Sequence, residues 1–236
     1  MNRGKRYENA SKKVEHAKLY DMDTAVKIVK ETATAKFDET IELSANLGVD
    51  PRQADQQVRG TVVLPHGTGR TVRVLVLARG EKEREAVEAG ADFVGADEYI
   101  PKIQAGWTDV DVIISTPDLM ADVGKLGRTL GPRGLMPNPK SGTVTFDVAK
   151  AVRDVKAGKV EYRVDKAGVV HCRIGRKSFE PNKLSENAMA LISELIAKKP
   201  STAKGIYLRS ITLSTTMGLG FRIDTTSVVA KSEDES

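Results

Sequence analysis

The 236-residue chain is 40% hydrophobic, enough to bury a sizeable core as one large domain or two small ones. Its 37 lysines and arginines against 32 acids give a formal charge of +5, which favours polyanionic partners, and its single cysteine excludes an internal disulfide. The charged opening MNRGKRYENASKKVEHAKLY has no apolar stretch, and no later run of about 18 apolar residues could span a bilayer, so a soluble, cytoplasmic protein without membrane association is expected.

Residues 3–18 mix bases and acids as a frayed helix would, and Asp23 is placed to cap a helix carrying Ala25, Val26, Ile28 and Val29. From residue 40 the period changes. Ile41, Leu43, Ala45 and Leu47 alternate with Thr40, Glu42, Ser44 and Asn46, a half-buried strand whose polar face is a candidate binding surface. Asp50-Pro51 marks a turn, Val58–Leu64 reads as a second strand, and Pro65-His66-Gly67-Thr68-Gly69 is a dense break.

Beyond the break, strands and helices alternate: strand Thr71–Ala78, helix Glu81–Ala89, strand Asp92–Val94, a helix near Ala96–Gln104, strand Val110–Ser115, a short strand Thr143–Thr145 and helix Val148–Val155. Short apolar strands between helices predict a small parallel sheet covered on both faces, a Rossmann-like α/β domain. After Gly158 the pattern returns to antiparallel pairs. Val160, Tyr162 and Val164 lead through Lys166-Ala167-Gly168 into Val170, Cys172 and Ile174. A helix follows through Leu184, Ala188, Leu191, Ile192 and Leu195, then a strand Ile206–Leu213 and the segment TTMGLG. Residues 231–236 read as a disordered, solvated tail.

The two terminal segments share one style and flank a block of another. The expected architecture is therefore α/β with two domains: an α+β domain with an antiparallel sheet made from 1–66 and 159–230, and an inserted α/β domain at 67–158. The two crossings between them are placed to act together as a hinge. Charge separates these parts: residues 67–158 hold 13 basic and 13 acidic side chains, whereas 159–230 hold 12 against 6, so the basic excess sits in the late segment.

An α/β block invites a nucleotide-binding reading, but the phosphate loops are not there. Gly67-Thr68-Gly69-Arg70-Thr71 lacks the Gly-Lys-Ser/Thr ending, Gly124-Lys125 is followed by Leu126, and the dinucleotide fingerprint fails at Val72. His16, His66 and His171 are scattered, and Cys172 should point away from His171 on a strand, so neither a nucleophile pair nor a metal set emerges. No catalytic residue, metal or cofactor is expected. The segment Gly124–Lys140 differs in kind, combining four glycines and three prolines with Lys125, Arg128, Arg133 and Lys140. Such a stiff, cationic loop suits phosphate holding and a purely structural turn alike.

GPRGLMPNPK at Gly131–Lys140, preceded by GKLGRTL, resembles the signature of the L-one family of large-ribosomal-subunit proteins in its bacterial form. KFDETIEL at Lys36–Leu43, GKVEYRVDKAG at Gly158–Gly168 and STTMG at Ser214–Gly218 agree with it, so the resemblance covers nearly the whole chain. It implies a non-enzymatic two-domain protein that binds large-subunit rRNA at the mobile stalk, among other ribosomal components, and helps deacylated tRNA leave the exit site. It also implies that the protein represses its own operon by binding mRNA that imitates the rRNA site. The free chain is expected to be a monomer.

The rRNA contacts implied by the matching motifs are Lys36, Phe37, Thr40 and Glu42, then Arg163, Asp165, Lys166 and His171, then Ser214, Thr216, Met217 and Gly218. Lys125, Arg128, Arg133 and Lys140 are candidates for a secondary RNA contact. The chemistry suits the principal set: Lys36, Arg163 and Lys166 can neutralise phosphates, Phe37 can pack on a ribose or base, and Thr40, Glu42, Ser214 and Thr216 can hydrogen-bond 2′-hydroxyls. Each also has a plain alternative, Phe37 and Met217 as core residues and Lys36 and Glu42 as ordinary strand surface. One departure stands out: Leu219 follows the TMG turn where many relatives carry proline. The competing function is an enzyme acting on a nucleotide or sugar phosphate through the inserted α/β domain.

Overall fold

The computed structural model describes residues 4–12, 14 and 18–234. Internal packing divides the chain into two units, Met1–Gly69 with Val160–Ser236 and Arg70–Lys159. The mixed α/β architecture expected from the patterning is observed, with an antiparallel sheet in the first unit and a small parallel sheet in the second.

In the first unit, the alternation at residues 40–47 becomes strand β1, Thr40–Leu47. Its inward side chains Ile41, Leu43, Ala45 and Leu47 are buried, and each of the larger three contributes roughly 1.5–3 kcal/mol by leaving water. β1 is central. It pairs antiparallel with β7, Val169–Arg176, on one side and with β8, Leu208–Thr215, on the other, while β9, Gly220–Ile223, pairs antiparallel with β8. The order is thus β7-β1-β8-β9.

Helices α2, Met22–Thr32, and α8, Pro181–Ala197, cover the inward face with Ala25, Val26, Val29, Leu184, Ala188, Leu191 and Leu195. A separate two-stranded sheet, β2 (Arg59–Val63) with β6 (Lys159–Arg163), adds Val62 and Tyr162 to the same core. The outward face of the four-stranded sheet keeps the polar half of each strand, because side chains alternate across a sheet.

A buried amide fixes the chain where it leaves this unit. Asn187 on α8 is 0% exposed. Its Oδ1 accepts from the His66 amide at 3.0 Å, and its Nδ2 donates to the carbonyls of Gly67 at 2.9 Å and Ile174 at 2.7 Å. Such satisfaction is what burying a polar side chain demands. Gly69, two residues beyond Gly67, has φ +70°, and a β-carbon there would lie 2.7 Å from the Phe179 ring.

Several local expectations are corrected. Asp23 does not cap α2: the helix begins at Met22 after Asp21, and the Asp23 carboxylate accepts from the Ser185 hydroxyl at 2.8 Å. Within the stretch 3–18, helix α1 spans only Lys5–Ser11, and residues 3, 13 and 15–17 lie outside the described residues. Residues 231–234, expected as tail, continue helix α9, Thr225–Asp234, anchored by buried Val228; residues 235–236 lie outside the described residues.

In the second unit, β3 (Val74–Leu77) lies between β4 (Phe93–Val94) and β5 (Val112–Ser115), all parallel. Both faces are covered. Leu75 and Leu77 enter one core with Ile103, Ile113, Val123 and Leu130, while Val74 and Val76 enter another with Ala86, Val148, Val152 and Val155. The flanking helices are α3 (Glu81–Glu88), α4 (Tyr99–Gln104), α5 (Met120–Lys125), α6 (Gly127–Leu130) and α7 (Val148–Ala157). Residues 143–145, expected as a strand, form only an isolated bridge from Val144 to Ser115.

Candidate nucleic-acid interface

The register of the antiparallel sheet lines its outward residues into rows. Glu42 stands opposite Arg173 on one neighbour and Ser214 on the other. Ser44 stands opposite His171 and Thr212, and Thr212 in turn opposite Arg222. Ser44 Oγ and His171 Nδ1 lie 2.9 Å apart, a hydrogen bond across the row. From Thr40 to Asn46 the face runs about 20 Å at ~3.3 Å per residue, the length of a short nucleotide track.

At one end of this face two loops meet. The 35–39 loop enters β1 and the 216–218 turn leaves β8. The Thr40 amide donates to Thr216 Oγ1 at 3.1 Å, and the Thr216 amide donates to the Thr40 carbonyl at 3.1 Å. Gly218 fits this turn closely, for a β-carbon would lie 2.2 Å from Thr215 Oγ1. Phe37 and Met217, each with a core residue as its plain alternative, are 54% and 65% exposed here, beside exposed Lys36 and Thr216.

The anchor beneath is Glu39, 0% exposed. Its Oε1 accepts from the Ala35 amide at 2.8 Å and its Oε2 from the Met217 amide at 3.0 Å. Burial favours the neutral acid, but these amide donors, with Lys177 nearby, more than offset it and hold the carboxyl below its ordinary pKa. Asp38 braces the same loop by accepting from the Ser178 amide at 3.0 Å and hydroxyl at 2.8 Å.

Toward the other end, the bridge Val164↔Val170 turns both valines inward, so Arg163, Asp165 and His171 face outward, and all are exposed with Lys166. Asp165 is also engaged within the hairpin. Its Oδ1 accepts from the amides of Ala167 at 2.8 Å and Val169 at 2.9 Å, and these bonds, with His171 nearby, hold its carboxyl below the ordinary value. It shapes the turn that presents Lys166.

The structure thus brings Lys36, Phe37, Thr40, Thr216, Met217 and Gly218 together at one end, with Glu42 and Ser214 on the adjoining face and Arg163, Asp165, Lys166 and His171 at the hairpin. It adds Arg173, Arg222 and Glu39. Arg173 was within reach of pattern reading, being the next alternate position after His171. Arg222 lies on a four-residue strand, too short to register as one.

Lys125, Arg128, Arg133 and Lys140 belong to the second unit and are exposed. Lys125 pairs with Asp122 at 2.9 Å, and the Arg133 guanidinium donates to the Thr108 hydroxyl. The surrounding loop is closed by its own backbone: Leu135 donates to the Leu130 carbonyl and Gly134, at φ +69°, to that of Gly131, which closes the turn that follows α6. Asn138 caps the next turn through Lys140 N at 2.9 Å. These glycines and prolines shape the loop, and its cations stand on the outside.

Residues 29–219, most of the chain and including every side chain of the sheet face except Arg222, match the profile of the Ribosomal protein L1p/L10e family.

Proposed function

The chain belongs to the Ribosomal protein L1p/L10e family, and from that premise we propose that it binds the mobile stalk of large-subunit rRNA through the outward face of the β7-β1-β8-β9 sheet. Members are structural, non-enzymatic constituents of the large ribosomal subunit that bind rRNA and serve translation. In this reading the Met1–Gly69 and Val160–Ser236 segments form a discontinuous rRNA-binding domain, with Arg70–Lys159 inserted into it.

The observation that carries the proposal is the pair of half-exposed apolar side chains, Phe37 and Met217, held out by braced loops at the end of a polar, cation-bearing face. An exposed aromatic ring beside cations and hydroxyls suits RNA, whose bases and riboses offer stacking surfaces and whose 2′-hydroxyls and phosphates offer polar partners. Lys36, Arg163, Lys166, Arg173 and Arg222 supply the phosphate contacts. Ser44, Thr212 and Ser214 supply hydroxyls.

Two further roles complete the proposal. The protein assists release of deacylated tRNA from the exit site, with Lys125, Arg128, Arg133 and Lys140 as a secondary RNA contact, and it represses translation of its own operon mRNA. Both rest on the resemblance of GPRGLMPNPK and STTMG to the bacterial form of the family.

Binding of the full chain to a stalk-derived RNA hairpin tests the main claim. Affinity should fall steeply with salt, and the Thr216→Val, Met217→Ala double variant should bind more weakly while its thermal melt stays near wild type. Equal affinity for matched duplex DNA, or unchanged binding by that variant, refutes it. A reporter carrying the operon leader tests repression, which a flat response to added protein would exclude.

A further inference from the structure

We propose that Glu39 is the positioning residue of this RNA interface: its carboxylate ties the 35–37 loop to the 216–218 turn and so sets Phe37 and Met217 at one fixed separation. The inference rests on the RNA-binding reading and deepens it. Glu39 is wholly buried, so it acts on RNA only through the residues it holds.

The paired register of β1 and β8 ends at Ile41↔Thr215, and the Thr40–Thr216 bonds add one residue beyond it. Past that point the two loops diverge from the sheet, and each of the two Glu39 oxygens takes an amide from a different loop: Ala35 from one and Met217, 178 residues away in sequence, from the other. Phe37 lies between Ala35 and Glu39, so its backbone is held on both sides. Met217 is held directly, and the Glu39 carbonyl accepts from the Lys177 amide at 2.8 Å, which fixes the clamp to the chain following β7.

The clamp requires two acceptors. Glutamine has the same length but one acceptor oxygen, and its NH2 would face an amide N–H, so Glu39→Gln frees one loop while changing little volume. Aspartate keeps both oxygens but retracts them by one methylene.

The experiment measures affinity of the full chain for the stalk-derived hairpin in wild type, Glu39→Gln, Glu39→Asp, Met217→Ala and each double variant, over a salt series. Glu39→Gln should weaken binding by roughly tenfold, the scale of coupled neighbouring groups. Its salt dependence should match wild type, because no phosphate-neutralising cation is lost. Glu39→Asp should restore part of the affinity. Met217→Ala should cost much less in the Glu39→Gln background than in wild type, since a side chain already misplaced has little left to lose.

Wild-type affinity in Glu39→Gln, or losses that simply add to that of Met217→Ala, overturns the proposal. Should Glu39→Gln fail to fold, the same cycle run with Glu39→Asp decides by the same criteria. Failure of the RNA reading is separately visible, as wild-type protein that prefers the hairpin no more than matched DNA.

Discussion

Replacing Asn187 by alanine should destabilise the first unit by about 3 kcal/mol, through the partners it strands rather than the volume it removes. The change deletes three hydrogen bonds, to the His66 amide and to the carbonyls of Gly67 and Ile174. The bond to Ile174 lies in the buried interior, where an orphaned polar group costs about 1–3 kcal/mol; His66 and Gly67 are half-buried, and water recovers part of their loss. Asn187→Asp should be worse, because a carboxylate oxygen would then face two carbonyls. Urea unfolding separates the units: far-ultraviolet circular dichroism follows both, whereas Trp107, the single tryptophan, reports only the second. The variant should lower the transition of the first unit and leave that of Trp107 in place. A cost below about 0.5 kcal/mol, the size of an ordinary surface substitution, or an aspartate variant as stable as the alanine one, refutes the reasoning.

Acid should act through several carboxylates at once. Glu39, Asp92 and Asp111 all stand below their ordinary values: each is penalised by burial, then more than compensated by amide donors and by Lys177, Lys156 or Arg70 and Arg73 respectively. A depressed native pKa contributes stability that is present above the unfolded value and disappears as pH falls through the native one. Stability should therefore be insensitive to these groups at neutral pH and decline below about pH 4.5, continuing to fall beneath the ordinary carboxylate range; a decline complete by pH 5 would contradict the assignment. The Cys172 thiol is buried on β7 and pushed up to about 12 by that burial, so it should be inert to a thiol reagent at pH 8 until the first unit unfolds. Prompt stoichiometric labelling of native protein would show the strand exposed.

The polar face of β1 was legible because a strand packed on one side only must alternate, and 40–47 alternates without a break. The small parallel sheet was legible for the complementary reason, its strands being apolar on both faces. Glu39 was not. In KFDETIEL it reads as one more surface acid, and its burial arises only where residues 35, 177 and 217 converge from distant parts of the chain. Asp165 was read as a contact although the Asp-Lys-Ala-Gly order also suits a side chain that bonds its own turn. β9 and α9 escaped because each depends on packing, the first against β8 and the second through Val228, rather than on periodicity.

The sheet order β7-β1-β8-β9 also sets a clock. Thr40 and Thr216, which close the proposed RNA-gripping end, are 176 residues apart. At synthesis rates of about 5–20 residues per second, roughly 9 to 35 seconds separate their appearance on the ribosome. Until β7 and β8 are made, β1 has neither sheet neighbour and Glu39 has no second loop to hold, so a growing chain presents no finished surface. If the repression proposed above operates, feedback on the messenger would be exerted only by completed molecules, and it would count proteins ready for assembly, not translation begun.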